Sequence, residues 1–261
     1  MKWKTFVIGW GLALSLLLFA QRRSPYPEAT VFSTILDLTH SVSADAPNWE
    51  GTSPSLHART TGTLERDGYF TRHVSFDEHS ATHMDAPAHM IPGTWTVDQI
   101  PAERLVRPLV VLDVTAQARA NPDYQVSVED IAHWESKHGD IPLGSVVLAH
   151  TGWDLRWNSS TEFRNADKSG TLHFPGFSLE AARFLVEARA IVGLGIDTLS
   201  VDPGISTDYA VHKYCAARGV YHLENVANLG QVPPSGAIAA VTPMKLEGGS
   251  AAPVRILAML K

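Results

Sequence analysis

Seven short apolar or β-branched runs punctuate the chain, at positions 34–38, 69–76, 109–114, 146–150, 191–196, 237–241 and 254–260. Each is bounded by polar, Gly or Pro residues and is too short for a helix, so each predicts a strand. Three other stretches carry helix signals. Ser127 with Asp130 three residues on opens IAHWESKH as a capping box does, and Gly139 closes it. Ser178 opens LEAARFLVEARA and places Leu179, Ala182, Leu185 and Val186 on one face. A third helix is predicted from Asp208 to about Arg218, stopped by Gly219. Several strands follow one another with no helix between them, which predicts a mixed α/β fold rather than a regular βα repeat.

The N-terminus has a different pattern. Lys2 and Lys4 precede the unbroken apolar run 5–20 (TFVIGWGLALSLLLFA), and Gln21, Arg22 and Arg23 end it abruptly. The run is shorter than the about 20 apolar residues that span a bilayer. Residues 1–20 are therefore expected to be a signal peptide, or an N-terminal anchor where uncleaved, ahead of a single domain over 21–261. That expectation makes the protein secreted or periplasmic, touching a membrane only through an uncleaved leader. The lone cysteine, Cys215, suits an oxidising compartment, reads as a packed thiol, and excludes a disulfide framework or a Cys-rich zinc module. The formal charge of −6 has no clustered basic face behind it, so nucleic acid is not expected as a partner. Asn158 begins a glycosylation sequon, which has meaning only in a eukaryotic source.

The histidines change the picture most. Of 12, His57, His73, His79, His83 and His89 fall close together around EHSATHMDAPAH. His83 and Asp85 are two apart, so on an extended backbone both point to one face, and Pro87 argues against a helix through them. His79 then enters from a turn. Two imidazoles and a carboxylate converging on one point make a shell for a divalent ion, with positions left open. His89 lies four residues on, close enough to stand beside that shell. A single histidine is more often a core or surface residue, but three with an aspartate at these spacings favour a metal site. A second constellation, His212 and Glu224, lies twelve residues apart on the third helix and the strand-like stretch after Gly219.

Together these features resemble the metal-dependent cyclase family, which includes bacterial kynurenine formamidase and isatin hydrolase. The resemblance runs from LDLTH at Leu36 to VRILAML at the C-terminus, and the family motif H-x-G-T-H-x-D-x-P-x-H reads His79-Ser80-Ala81-Thr82-His83-Met84-Asp85-Ala86-Pro87-Ala88-His89. It implies an α/β fold with a mixed β-barrel-like core flanked by helices, of the swivelling β/β/α type. It implies that His79, His83 and Asp85 hold one Zn2+ or Mn2+, that Asp85 bridges to a second ion on His212 and Glu224 where two are bound, and that His89 is the catalytic proton shuttle. Trp49 in APNWEG, with Trp153 in HTGWDLRW, is expected to bind an aryl substrate. A homodimer or higher homo-oligomer is also implied. The motif departs from the family at Ala81, which stands where the family has glycine, so a positive φ there means strain.

A metal-activated water and a histidine acid/base suit hydrolysis of an aryl-linked amide, either the lactam of isatin or the formamide of N-formylkynurenine. No G-x-S-x-G elbow supports a serine-hydrolase route. The alternative is a secreted metal- or small-molecule-binding protein on the same fold, which would have no use for an acid/base at His89.

Overall fold

The computed structural model describes residues 32–52 and 55–261. The leader expected at 1–20 lies outside the described residues. Among the described residues twelve strands form: β1 (Thr34–Asp37), β2 (Leu56–Gly62), β3 (Thr71–Phe76), β4 (His83–Asp85), β5 (Val106–Asp113), β6 (Gln125–Val126), β7 (Val146–His150), β8 (Gly176–Phe177), β9 (Gly193–Ile196), β10 (Tyr221–Glu224), β11 (Ala237–Pro243) and β12 (Ala251–Leu260). The helices are α1 (Leu64–Asp67), α2 (Thr115–Ala120), α3 (Val128–His138), α4 (Ser160–Arg164), α5 (Leu179–Arg189) and α6 (Ala210–Ala216).

Eight strands lie in the order β1-β12-β11-β5-β7-β9-β10-β4, and β4 also pairs with β12. The second pairing closes seven of them into a barrel: β12 takes β4 along Ala251–Pro253 and β1 along Leu257–Leu260 of the same edge. β5, β7, β9 and β10 are parallel neighbours. Their runs are apolar throughout because both faces are covered. Leu109, Val111, Val146 and Leu148 pack inside the barrel with Met84, Leu223, Ile256 and Ala258. The alternate residues Val110, Leu112, Val147 and Ala149 pack outward against Ile131 and Trp134 of α3, Leu185 of α5 and Val211 of α6. The expected mixed α/β barrel flanked by helices is therefore the fold.

Element boundaries differ from expectation where proline and turn chemistry decide. β5 and β12 begin before Pro108 and Pro253, not after them, so each proline lies near the start of its strand rather than ahead of it. The strand expected from Tyr69 begins at Thr71, since Gly68, left-handed at φ 75°, caps the short α1 just before it. α6 starts at Ala210, two residues late, because Tyr209 is itself left-handed at φ 53°. β2 and β3 pair only with each other, as a ribbon exposed along most of its length.

Candidate metal centre

β4 and β10 run antiparallel with His83 opposite Glu224 and Asp85 opposite His222. Side chains alternate along a strand, so Met84 and Leu223 enter the barrel core and His83, Asp85, His222 and Glu224 share the other face. α6 covers that face and brings His212 to it, while His79 arrives from the turn after β3. The five residues expected as ligands are thus gathered in one place.

Asp85 is the hub. Its Oδ1 lies 2.9 Å from His79 Nδ1 and 3.3 Å from His83 Nε2, and its Oδ2 lies 3.4 Å from His212 Nε2. Glu224 spans two of these three histidines: Oε2 is 3.4 Å from His83 Nε2 and Oε1 is 3.1 Å from His212 Nε2. The carboxylates therefore stand between a His79–His83 side and a His212 side. His83 and His212 are each oriented from behind. His83 Nδ1–H donates to the Ala81 carbonyl at 2.9 Å, and His212 Nδ1–H donates to Asp202 Oδ2 at 2.6 Å. Both bonds fix the proton on Nδ1 and turn Nε2 to the side of the carboxylates, where its lone pair is free for a cation, as metal-ligating histidines require.

The fit to a cation follows from two orphaned atoms. His83 Nε2 and Asp85 Oδ1 are buried and have no hydrogen-bond partner. Buried polar atoms are normally satisfied, and an ion bridging an imidazole nitrogen and a carboxylate oxygen satisfies both. His79, His83 and Asp85 offer ligand atoms that all lie within 4.8 Å of one another. The electrostatics are those of a cation site. Burial works against charge on His83, but Asp85 and Glu224 outweigh it and hold its pKa up at about 10. Burial and Asp85 push Glu224 up, yet His212 and His83 bring it down to about 2.

His89 ends a short 3-10 turn, Pro87–His89, with its ring 4.4 Å from that of His79 and 6.1 Å from that of His212. Burial lowers its pKa, so it is a neutral base at pH 7. A cavity of about 740 Å³ opens over the centre and is bordered by Trp49, His79, His89 and Tyr209. Trp49 meets Phe174 edge-on and Tyr209 at a tilt, both at 6.2 Å between ring centres. Trp153 does not reach the cavity, contrary to expectation. It is 2% exposed, packs with Phe163, Leu172 and Phe174, and donates its indole N–H to the Phe163 carbonyl at 2.7 Å. The apolar cluster under α4 is the stronger sink for it. Cys215 is fully buried and burial pushes its thiol up to about 12, which makes it a packed thiol.

Sequence reasoning missed two residues of this centre. Asp202 accepts from the N–H groups of Val211 and His212 as well as from the His212 ring, so one carboxylate caps α6 and orients its ligand. No local spacing signals this, because Asp202 lies outside the helix it caps. His222 was legible in principle: it stands two before Glu224 and hence on the same strand face. It is 1% exposed, and burial holds its pKa down at about 3.

Ala81 has φ 53°, so the motif position does demand the left-handed conformation. Its carbonyl is the acceptor that His83 and Asn225 Nδ2 share, which makes the strained turn part of ligand positioning. Ala81→Gly is expected to stabilise the protein by about 1 kcal/mol. Thermal unfolding should show this as a rise of roughly 2–4 °C in Tm.

The Cyclase family model matches residues 36–203. The isatin hydrolase of Roseibium aggregatum is 31% identical over 224 residues, covering 82% of this chain and 84% of that protein. The kynurenine formamidase of Salinibacter ruber is 28% identical, covering 85% of this chain and 95% of that protein. The solved structure of isatin hydrolase A from Ralstonia solanacearum superposes with a TM-score of 0.81 at 34% identity, covering 87% of this chain and 92% of that one. With its His79–His83–Asp85 motif in place on a closed mixed barrel, the chain belongs to the Cyclase family.

Proposed function

We propose that the protein is a metal-dependent hydrolase of aryl-linked amides, with the lactam of isatin, opened to isatinate, ahead of N-formylkynurenine as substrate. The carrying observation is the cavity wall. It holds Trp49 and Tyr209 for an aromatic ring, and among the described residues no Lys or Arg borders it, whereas Glu50, Asp77 and Glu78 do. A neutral lactam suits such a wall, and the free carboxylate of N-formylkynurenine finds no Lys or Arg partner there among the described residues. The isatin hydrolases and kynurenine formamidase among the relatives support the same chemistry.

His79, His83 and Asp85 would hold one divalent ion, Zn2+ or Mn2+, and His212 and Glu224 with Asp85 a second. When bound, such an ion lowers the pKa of water toward neutrality and polarises a carbonyl. The protein's own part is proton transfer and placement. His89, neutral at pH 7, takes a proton as water adds to the carbonyl carbon, and returns it to the nitrogen as the C–N bond breaks. Trp49 stacks the aryl ring at the mouth. In this proposal the enzyme acts outside the cytoplasm, as the leader suggests, and as a homodimer or higher homo-oligomer. The exposed β2–β3 ribbon, with Leu64, Tyr69 and Phe70 each at least 60% exposed, is the surface offered for self-association.

The test is hydrolysis of isatin and N-formylkynurenine side by side, with Mn2+ or Zn2+ loaded and with a chelated control. Chelator-sensitive turnover of isatin is expected. Turnover of N-formylkynurenine alone overturns the substrate order, and turnover of neither overturns the assignment. Trp49→Ala is expected to raise KM for isatin by roughly 10-fold with kcat nearly kept, since stacking contributes to ground state and transition state alike. Light scattering reads the assembly state on the same preparation.

A further inference from the structure

We propose that His222 is a further ligand of the metal centre, holding an ion with His212 and Asp85. The inference rests on the metal-centre reading above and extends it by a residue that neither the motif nor the resemblance assigns. His222 faces Asp85 across the β4–β10 ladder, and its ring centre is 4.5 Å from that of His212 at a tilt of 59°. Asp85, His212 and His222 each offer a ligand atom, and these lie within 4.8 Å of one another. His222 is 1% exposed, and its Nε2 is buried with no hydrogen-bond partner. A buried imidazole nitrogen is ordinarily satisfied, and a cation shared with Asp85 and His212 satisfies this one.

The placement sets His222 apart from the other ligands. His79, His83, Asp85, His212 and Glu224 border the cavity, whereas His222 does not. Adding His222 to His212, Glu224 and Asp85 brings that side to four protein groups, the number of a closed structural site, and leaves the His79 side with three, the number of a site with an open position. His222 then closes the His212 side from behind, away from the cavity.

The plain competing account makes His222 a spacer packed beneath His212. His222→Phe separates the two, because it keeps a flat ring of similar volume and removes both nitrogens. Titration of the full chain with Mn2+ is expected to show two equivalents in the parent, and in the variant at least a tenfold weaker second equivalent. A variant that takes up both equivalents with parental affinity overturns the assignment and leaves the metal centre standing. A parent that takes up no Mn2+ overturns both. Should the variant fail to fold, the unmutated protein carries the test: in the imidazole 15N spectrum, Zn2+ loading should move a His222 nitrogen from the position of a bare lone pair to that of a coordinated one. No such movement overturns the proposal.

Discussion

Asp85→Asn is expected to abolish metal uptake and turnover together while leaving the barrel folded. Among the described residues, Asp85 is the one carboxylate in contact with all of His79, His83 and His212, and it presents one oxygen to each side of the centre. An amide keeps the volume but turns one of those oxygens into a donor that faces an imidazole nitrogen. Loss of an outer partner of a ligand weakens metal binding about 10- to 100-fold, and loss of the shared ligand itself should exceed that range. Several kcal/mol of charge stabilisation in the transition state go with the ion, so kcat/KM should fall by roughly 1000-fold or more. Metal content after dialysis, measured beside the rate, checks both halves. Retained metal with lost activity would move the role of Asp85 from ligation to chemistry.

The second large effect is expected at Asp202. Asp202→Asn places an amide N–H against His212 Nδ1–H, or forces the ring into the other tautomer with its proton on Nε2. Either outcome spoils His212 as a ligand. Affinity for the His212-side ion should drop about 10- to 100-fold, and stability by roughly 1.5–3 kcal/mol with the loss of a charge-assisted bond and of the α6 cap. The pH dependence has a definite sign. Burial works to raise the Asp202 carboxyl, but His212 and the two backbone donors outweigh it and hold its pKa below the ordinary value of 3.8. A depressed folded-state pKa gives stability that is complete above the unfolded value and lost as pH falls through the folded one. His212, raised well above 6.5 chiefly by Asp202 against the opposing effect of burial, contributes below that value and loses its contribution only well above it. The metal-free parent should therefore lose stability below about pH 4, and Asp202→Asn should show a shallower acid limb. An acid limb that is unchanged in the variant would remove Asp202 from the account.

Much of the centre was legible in the chain because its parts are local. His83 and Asp85 share a face through strand alternation alone, His79 reaches them through a turn of three residues, and His89 follows after a proline that ends the strand. The buried parallel strands were legible for the same reason, as apolar runs too short for helices. Even the strain at Ala81 could be anticipated from a motif position that favours glycine, and φ 53° bears it out. Trp153 shows the limit: a tryptophan near a polar turn reads the same whether it stacks a substrate or fills a core. Only the neighbourhood of Phe163, Leu172 and Phe174 decides between them.

The sequence by itself determined seven of the strands, the first ligand cluster and the base beside it, since each depends on residues within one strand or one turn of one another. Tertiary structure alone decided how the β4 strand closes the barrel between β10 and β12, and through that pairing which distant residues face Asp85. Asp202 capping a helix it does not belong to, and His222 lying opposite Asp85, are consequences of ladder register and chain crossing. A one-residue slip of β10 against β4 would turn Glu224 and His222 into the barrel and leave the metal face without them.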